Sequence, residues 1–480
     1  MRPLVVLGDA FLDRDLARDA TRLCPDGPAP IVEDVTERCR PGGAALAAYL
    51  AALEGAEVHL CCALGADAAG AVVRRLLCEA GVEVRAAPAA VTGEKTRLRA
   101  GATTVARVDR GPRRQIPLPG ANLAPLGEAL RRAGAIVVSD YGRGMCGEPV
   151  LREALAEARR RGTPIVWDPH PNGAIPFPGC SLVTPNEREV QLAAGVAPRP
   201  GTRLAELVHA AREVARRWVV QGVVVTLGER GALLVEGEGL PMICPAPSVV
   251  HEDACGAGDR FAAAAGLALA RGAVLSWAVG EATAAAAAFV AGGGSAALVD
   301  MDRTPTPRSS GTAEGGDALA PGATIGLERA RVLAAETHAR GGRVVVTGGC
   351  FDLLHAGHIA LLESARALGD CLIVCVNSDA SVRRAKGPDR PLVTLVDRIR
   401  VLASLSSVDA VVAFEEDTPA QCLRDVRPDL FVKGGDYFGA RVAEEEVLAE
   451  LGGQVIVLPY LPGHSTTRIV ARAAQVGALR

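Results

Sequence analysis

Two stretches of this sequence carry residue types and spacings that could do chemistry. The first is Gly349-Cys350-Phe351-Asp352-Leu353-Leu354-His355-Ala356-Gly357-His358. His355 and His358 stand three apart where the pattern opens a helix, so both imidazoles project toward one corner. A helix N-terminus favours an anion, and two imidazole donors suit the charge that builds on pentacoordinate phosphorus during nucleotidyl transfer. Gly348 and Gly349, leaving the apolar run Val344-Val345-Val346-Thr347, let a ligand approach the backbone closely. The second stretch is Asp253-Ala254-Cys255-Gly256-Ala257-Gly258-Asp259. Its small residues let the backbone N–H groups of Ala257, Gly258 and Asp259 face a transferring phosphoryl group. Asp259 is then the base that accepts a hydroxyl proton, a step that otherwise needs only positioning and charge neutralisation. Taken alone, a G-x-G-D string is equally at home as a helix cap.

The elements that must position these residues follow from periodicity. Up to about residue 299, short β-branched runs such as Ala135-Ile136-Val137-Val138-Ser139-Asp140 and Gly222-Val223-Val224-Val225-Thr226 alternate with helical patterns over 148–161 and 203–218. Continuous apolar strands alternating with helices predict a parallel sheet covered on both faces. Residues 86–119 alternate differently and read as antiparallel strands or a small β lid. Residues 301–325 are rich in Pro, Gly, Ser and Thr without apolar periodicity, which predicts a flexible linker. A second strand–helix alternation fills 326–480. The expected division is therefore 1–300, a linker at 301–325, and 326–480.

Bulk properties narrow the partners. A formal net charge of -3 and a pI near 6.3 give no electrostatic case for nucleic acid. The Ala-rich runs are too short or interrupted to span a membrane, and the N-terminus lacks the form of a signal peptide, so a cytoplasmic protein is expected. The 13 Cys form no C-x-x-C pair and fall mostly in apolar runs, as Cys371 and Cys375 do, which reads as small buried hydrophobes rather than a zinc site.

The G-x-F-D-x-x-H-x-G-H string resembles the cytidylyltransferase-like family of nucleotidyltransferases. Asn377-Ser378-Asp379, the cations of Arg383-Arg384-Ala385-Lys386-Gly387, Asp397-Arg398 and His464-Ser465-Thr466-Thr467-Arg468-Ile469 fall at matching places. The resemblance implies His355, His358 and Lys386 as catalytic. It implies Gly349, Cys350, Phe351, Arg398, Ser465, Thr466 and Thr467 on the nucleotide. Lys433-Gly434-Gly435-Asp436-Tyr437 is similar to the adenylyltransferase half of a bifunctional heptose enzyme, with Lys433 and Asp436 toward the sugar phosphate.

The N-terminal part resembles the ribokinase-like family. Pro41-Gly42-Gly43-Ala44-Ala45, Thr184-Pro185-Asn186-Glu187 and Thr226-Leu227-Gly228-Glu229-Arg230-Gly231 precede the G-A-G-D in that family's order. This implies a three-layer α/β domain with a small β lid, followed by a Rossmann-like domain. It places Asn186, Glu187, Thr226, Gly228, Gly256, Ala257 and Gly258 on ATP, with Asp259 catalytic and Glu189 toward Mg²⁺. Asp9, Asp13, Gly42, Gly43, Lys95, Arg97, Asp140 and Arg143 fall on the sugar-phosphate side. Ser139-Asp140-Tyr141, Asp168-Pro169, Thr21-Arg22, Pro25 and Pro28-Ala29-Pro30 are similar to a heptose 7-phosphate kinase. The whole chain thus resembles the family of bifunctional heptose 7-phosphate kinase/heptose 1-phosphate adenylyltransferases.

That resemblance implies ATP as substrate of two steps, sugar phosphates as partners, and a homodimer through the lid. The sequence departs from the pattern at Leu46, where the family has an Asn for sugar hydroxyls, at Arg143 and His170, each in place of a Lys, and at Ala254 and Cys255. A Leu cannot hydrogen-bond a hydroxyl. The alternatives are another sugar phosphate, CTP in the second step, or a kinase half reduced to oligomerisation or sensing.

Overall fold

The computed structural model describes residues 2–18, 22–23, 30–31, 36–100, 103–199, 202–247, 254–298 and 324–459. The chain divides into two compact units, residues 1–237 with 246–306, and residues 238–245 with 307–480. The expected linker falls almost wholly outside the described residues.

The first unit is organised around a sheet whose strands run in the order Ala232–Glu236, Gly222–Thr226, Leu182–Val183, Ile165–Asp168, Ala135–Ser139, Leu4–Gly8, Val58–Gly65, Glu83–Ala89. All neighbours are parallel except the hairpin of the first two. Leu4–Gly8 and Ala135–Ser139 are buried at every position, as strands covered on both faces must be. The Ala-rich helices Ala257–Ala270 and Leu275–Ala291 pack against each other, and small side chains allow a close approach to the sheet. At Gly266 an added Cβ would lie 2.4 Å from Val137 Cγ2, so this helix rests directly on the strand that ends at Ser139.

The lid is a separate four-stranded sheet in the order Thr36–Gly43, Ala10–Arg18, Gly93–Ala100, Thr103–Arg110. It differs from the expectation in two ways. Residues Glu83–Ala89 belong to the main sheet, because the helix Ala68–Glu79 returns the chain parallel to Val58–Gly65. The lid instead recruits Ala10–Arg18 and Thr36–Gly43, which pair antiparallel from Ala10↔Gly43 to Ala17↔Thr36. A buried Arg40–Asp15 ion pair ties these two strands together.

The second unit has the sheet order Thr324–Ile325, Ala410–Phe414, Cys371–Asn377, Val344–Gly349, Leu430–Lys433, Gln454–Val457, Met242–Cys244, parallel throughout. From Val344 onward, the strands run outward from Val344–Gly349 in both directions. Their order reverses between Val344–Gly349 and Leu430–Lys433, the place where open α/β sheets bind ligands beyond the strand ends. The short strand Met242–Cys244 comes from far earlier in the sequence, which its apolar pattern did not reveal.

Candidate active sites

A cavity of about 600 Å³ opens at that reversal point in the second unit, with Gly349, His355, His358, Lys386, Lys433 and Asp436 among its walls. His355 is the N-cap of the helix Ala356–Arg366, and His358 lies in its first turn. Their rings stack with centroids 3.9 Å apart and planes 24° from parallel. Burial, then the neighbouring His355 and Lys386, pull His358 down to about 4, so its ring is neutral at neutral pH. Phe351, on the cavity wall, takes a left-handed φ of 46°, which a non-glycine residue adopts only when its surroundings impose it.

The imposing contacts come from residues on either side. Asp352 accepts hydrogen bonds from the N–H groups of Leu392 and Val393, at 2.6 and 3.0 Å, and from Arg390 at 2.6 Å. These donors hold the Asp352 carboxyl below the usual range despite its burial. Arg398, expected on the nucleotide, is turned inward. Its side chain is fully buried and donates to the carbonyls of Cys350 and Val393 and to Asp379. A guanidinium has five N–H donors and no acceptor, and these backbone oxygens satisfy it better than a solvent-facing ligand would. It therefore positions the loop that carries Cys350 and Phe351. Arg398→Ala should destabilise this unit by about 1–3 kcal/mol, since it leaves the carbonyls of Cys350 and Val393 without their donor while the partly exposed Asp379 can turn to water. Urea unfolding followed by a probe in the second unit would read this, and an unchanged midpoint would refute it.

Lys433 reaches the cavity over the rings of Phe431 and Tyr437, with Nζ 5.1 and 4.7 Å from their centroids. It is held by Glu444 at 2.8 Å. Glu444 was not legible in the sequence, where Glu444-Glu445-Glu446 reads as the solvated start of a helix. Ser465, Thr466 and Thr467 lie outside the described residues.

In the first unit, a cleft of about 650 Å³ is lined by Asn186, Thr226, Gly228, Ala257, Gly258 and Phe261, among others. The strand end Thr226 and the helix start Asn186 are bridged in parallel, which brings two separate motifs to one wall. Asn186 and Glu189 close a capping box at the start of the helix Glu187–Ala193. Glu189 therefore commits one oxygen to the Asn186 N–H, at 2.9 Å. Glu187 is not on the cleft wall and pairs with Arg230 at 2.6 Å, because on this helix its side chain points away from the cap.

Gly256 caps the helix Ala257–Ala270 with φ 84°, and a Cβ there would come within 3.0 Å of Leu46 Cδ2. Leu46, only 2 % exposed, thus packs under the Gly-Ala-Gly turn. Gly258 has open space where a Cβ would project, on the wall of the cleft.

Asp259 sits in the first turn of that helix and is 5 % exposed. Tyr141 Oη donates to its carboxylate at 2.9 and 3.1 Å, and Ser139 Oγ lies 3.4 Å away. Burial raises Asp259 to about 7, against the lowering effect of the Tyr141 hydrogen bond. From the lid, Asp13 pairs with Arg97 at 3.1 Å. Lys95 stands 3.6 Å from the Phe11 ring centroid, and the Arg143 guanidinium lies 5.2 Å from the same ring. Burial brings Lys95 down to about 8, and Arg107 and Arg143 push in the same direction.

Four residues expected on the sugar also have contacts within the fold. Asp9 accepts from the N–H groups of Tyr141, Arg143 and Met145, at 3.0, 2.8 and 3.2 Å. Asp140 accepts from Gly142 and Ala174, at 2.8 and 2.7 Å, and burial lifts it to about 6. A buried carboxylate must find donors, and the turn after Ser139 offers unpaired backbone N–H groups. Gly42 and Gly43 make room for Phe11: a Cβ on either would lie 2.4–2.6 Å from its ring. Phe11 and Tyr141 were missed as site residues, though Tyr141 lies inside a quoted motif and an aromatic beside a carboxylate was the available signal.

These two constellations define a carbohydrate-kinase fold and a nucleotidyltransferase fold in one chain. The pfkB family carbohydrate kinase model matches residues 1–301, and the Cytidylyltransferase-like model matches residues 346–472. A curated relative, "Bifunctional protein HldE" of Streptomyces coelicolor, is 51% identical over 98% of this chain and 97% of its own length. Proteins of the same name from Azorhizobium caulinodans and Gluconacetobacter diazotrophicus are 36% and 38% identical, over 98% and 99% of this chain and 98% of their own lengths. The chain belongs to the bifunctional HldE family. It is an enzyme, a kinase joined to a nucleotidyltransferase. Among the described residues, no helix is long and apolar enough to cross a membrane.

Proposed function

We propose that the chain carries out two steps of ADP-heptose synthesis. The first unit transfers the γ-phosphoryl group of ATP to the anomeric hydroxyl of D-glycero-β-D-manno-heptose 7-phosphate. The second lets a heptose 1-phosphate attack the α-phosphorus of ATP and release pyrophosphate. A separate phosphatase would act between them on the 7-phosphate.

The observation that carries this reading is the pairing of one buried carboxylate, Asp259, with an N–H-lined helix start in one unit, and stacked imidazoles with Lys386 in the other. In the first step an acceptor hydroxyl must lose a proton, and Asp259 receives it. The bond from the acceptor oxygen to γ-phosphorus forms as the bond to ADP breaks, with the N–H group of Gly258 facing the moving charge, while the Ala257 N–H is taken by the Ala254 carbonyl at 3.1 Å. Lys95 and Arg143, two cations flanking Phe11, suit the phosphate already on the sugar, while Arg97 is taken up by Asp13. In the second step the attacking oxygen belongs to a phosphate and is already anionic. No base is needed there, and His355, His358 and Lys386 serve to spread the charge on the α-phosphoryl group.

Mg²⁺ fits this donor set in a limited way. It prefers ATP oxygens and water with one or two carboxylates, and Glu189, capped on the cleft residue Asn186, is a carboxylate with one oxygen outside the cap. When bound it would neutralise charge on the phosphates of ATP. A homodimer through the lid belongs to the same reading: Val105 and Val108 are exposed on Thr103–Arg110, the edge strand of the lid sheet.

The test is to supply ATP and Mg²⁺ with heptose 7-phosphate or heptose 1-phosphate and follow ADP and pyrophosphate separately. Pyrophosphate from the 1-phosphate without ADP from any sugar 7-phosphate would sink the bifunctional reading. The same assay yields a pH prediction. Asp259 must be deprotonated, so ADP release falls as pH drops through about 7. Lys95 must be charged to hold a phosphate, so it falls again as pH rises through about 8. A narrow bell in kcat/KM between those limbs is expected, and a flat profile from pH 6 to 9 would contradict it.

A further inference from the structure

Tyr141 follows the strand Ala135–Ser139 and is fixed from several sides. Its backbone N–H is held by Asp9 at 3.0 Å. Its ring meets Phe11 edge-on, with centroids 5.2 Å apart at 79°, and stacks with His170 at 6.5 Å and 27°. Lys95 Nζ lies 4.7 Å from its centroid. Such a ring has no freedom to swing, so its hydroxyl is placed by the fold. That hydroxyl lies within hydrogen-bond distance of both oxygens of Asp259, at 2.9 and 3.1 Å.

The direction of the hydrogen bond follows from the charges around the pair. Asp259 and Tyr141 are faced by Asp13 and Lys95 from the lid, by Ser139 from the strand below, and by Asp168 from the neighbouring strand. Burial and the nearby carboxylates push the Tyr141 phenol well above its ordinary value, so it keeps its proton and donates it to the charged Asp259. Asp168, buried and raised, is engaged by the Thr184 hydroxyl at 2.8 Å and does not compete for this donor.

We propose that Tyr141 is a positioning residue of the kinase site, whose phenol holds the Asp259 carboxylate charged and aimed until the acceptor hydroxyl arrives. The inference rests on the kinase reading given above. In the transfer, the acceptor O–H breaks, its proton goes to one Asp259 oxygen, the O–P bond forms and ADP leaves with the electrons of the broken bond. Tyr141 stays on the other carboxylate oxygen throughout. It differs from Asp259 in touching no reacting atom, so its loss should change when the base is available more than whether one exists.

Tyr141→Phe keeps the ring contacts and removes only the donor. The acid limb of ADP release should move up by about one pH unit, a roughly tenfold loss below the limb, with recovery toward the wild-type rate above it. Pyrophosphate release should be unaltered. Incorporating 3-fluorotyrosine makes a stronger donor and should move the limb down, and this arm remains available if Tyr141→Phe does not fold. A uniform loss at every pH with an unmoved limb, or no change at all, overturns the proposal. The carboxyl titration is read independently by carbon NMR of aspartate-labelled full-length protein, with the Asp259 signal assigned through Asp259→Asn. If wild type releases no ADP, the kinase reading fails by itself, while an upward shift of that signal in Tyr141→Phe would still support the contact and an unshifted signal would still refute it.

Discussion

Asp259→Asn is expected to abolish ADP release from ATP and heptose 7-phosphate while pyrophosphate release from heptose 1-phosphate continues unchanged. The amide keeps the size of the side chain and can still meet Tyr141, so folding should survive. It cannot accept the acceptor's proton, and loss of a positioned base removes about 10²–10⁴-fold of the rate. The separation is the informative part. Asp259 lies in the unit formed by residues 1–237 with 246–306, and the stacked histidines lie in the other. A variant that lost both activities would point to a shared site or to unfolding, which circular dichroism would distinguish.

His358→Ala is expected to do the reverse, lowering pyrophosphate release by about 10²–10³-fold, the usual effect of removing one donor to a developing oxyanion. The size follows from the burial that keeps the His358 ring neutral: as a fixed, poorly solvated donor it needs no reorganisation when charge appears on phosphorus. Because a neutral ring suffices, pyrophosphate release should show no acid limb between pH 6 and 8 attributable to His358. Initial rates across that range would check this, and a steep loss near pH 6.5 would argue that a charged imidazole is required.

Much of this could be read from local order. The string from Gly349 to His358 specifies a strand end, a close-approach turn and a helix start within ten residues, and the structure places its histidines on a cavity wall as a local argument would. Residues such as Gly258 and Thr226 were equally legible, because each stands at an element end on the cleft wall. Less legible was how a polar side chain with a choice of partners is held. Asp9, Asp140 and Arg398 have the chemistry of ligands, yet their donors and acceptors are met by backbone groups from distant parts of the chain. At Leu46 the sequence indicated a missing sugar contact, and the structure adds that its side chain lies beneath Gly256.

By itself the sequence determined the two chemistries, the strand–helix alternation of both units and the elements that carry Asp259, His355 and His358. These depend on periodicity and on residues close together in the chain, and such information is local. Only the tertiary structure decided which strands form the lid, that Glu83–Ala89 joins the main sheet, and that Met242–Cys244 pairs with Gln454–Val457. It also decided that Tyr141 meets Asp259 across 118 residues of chain. Strand pairing and buried hydrogen bonds are settled by competition among all available partners, and no single segment records the outcome of that competition.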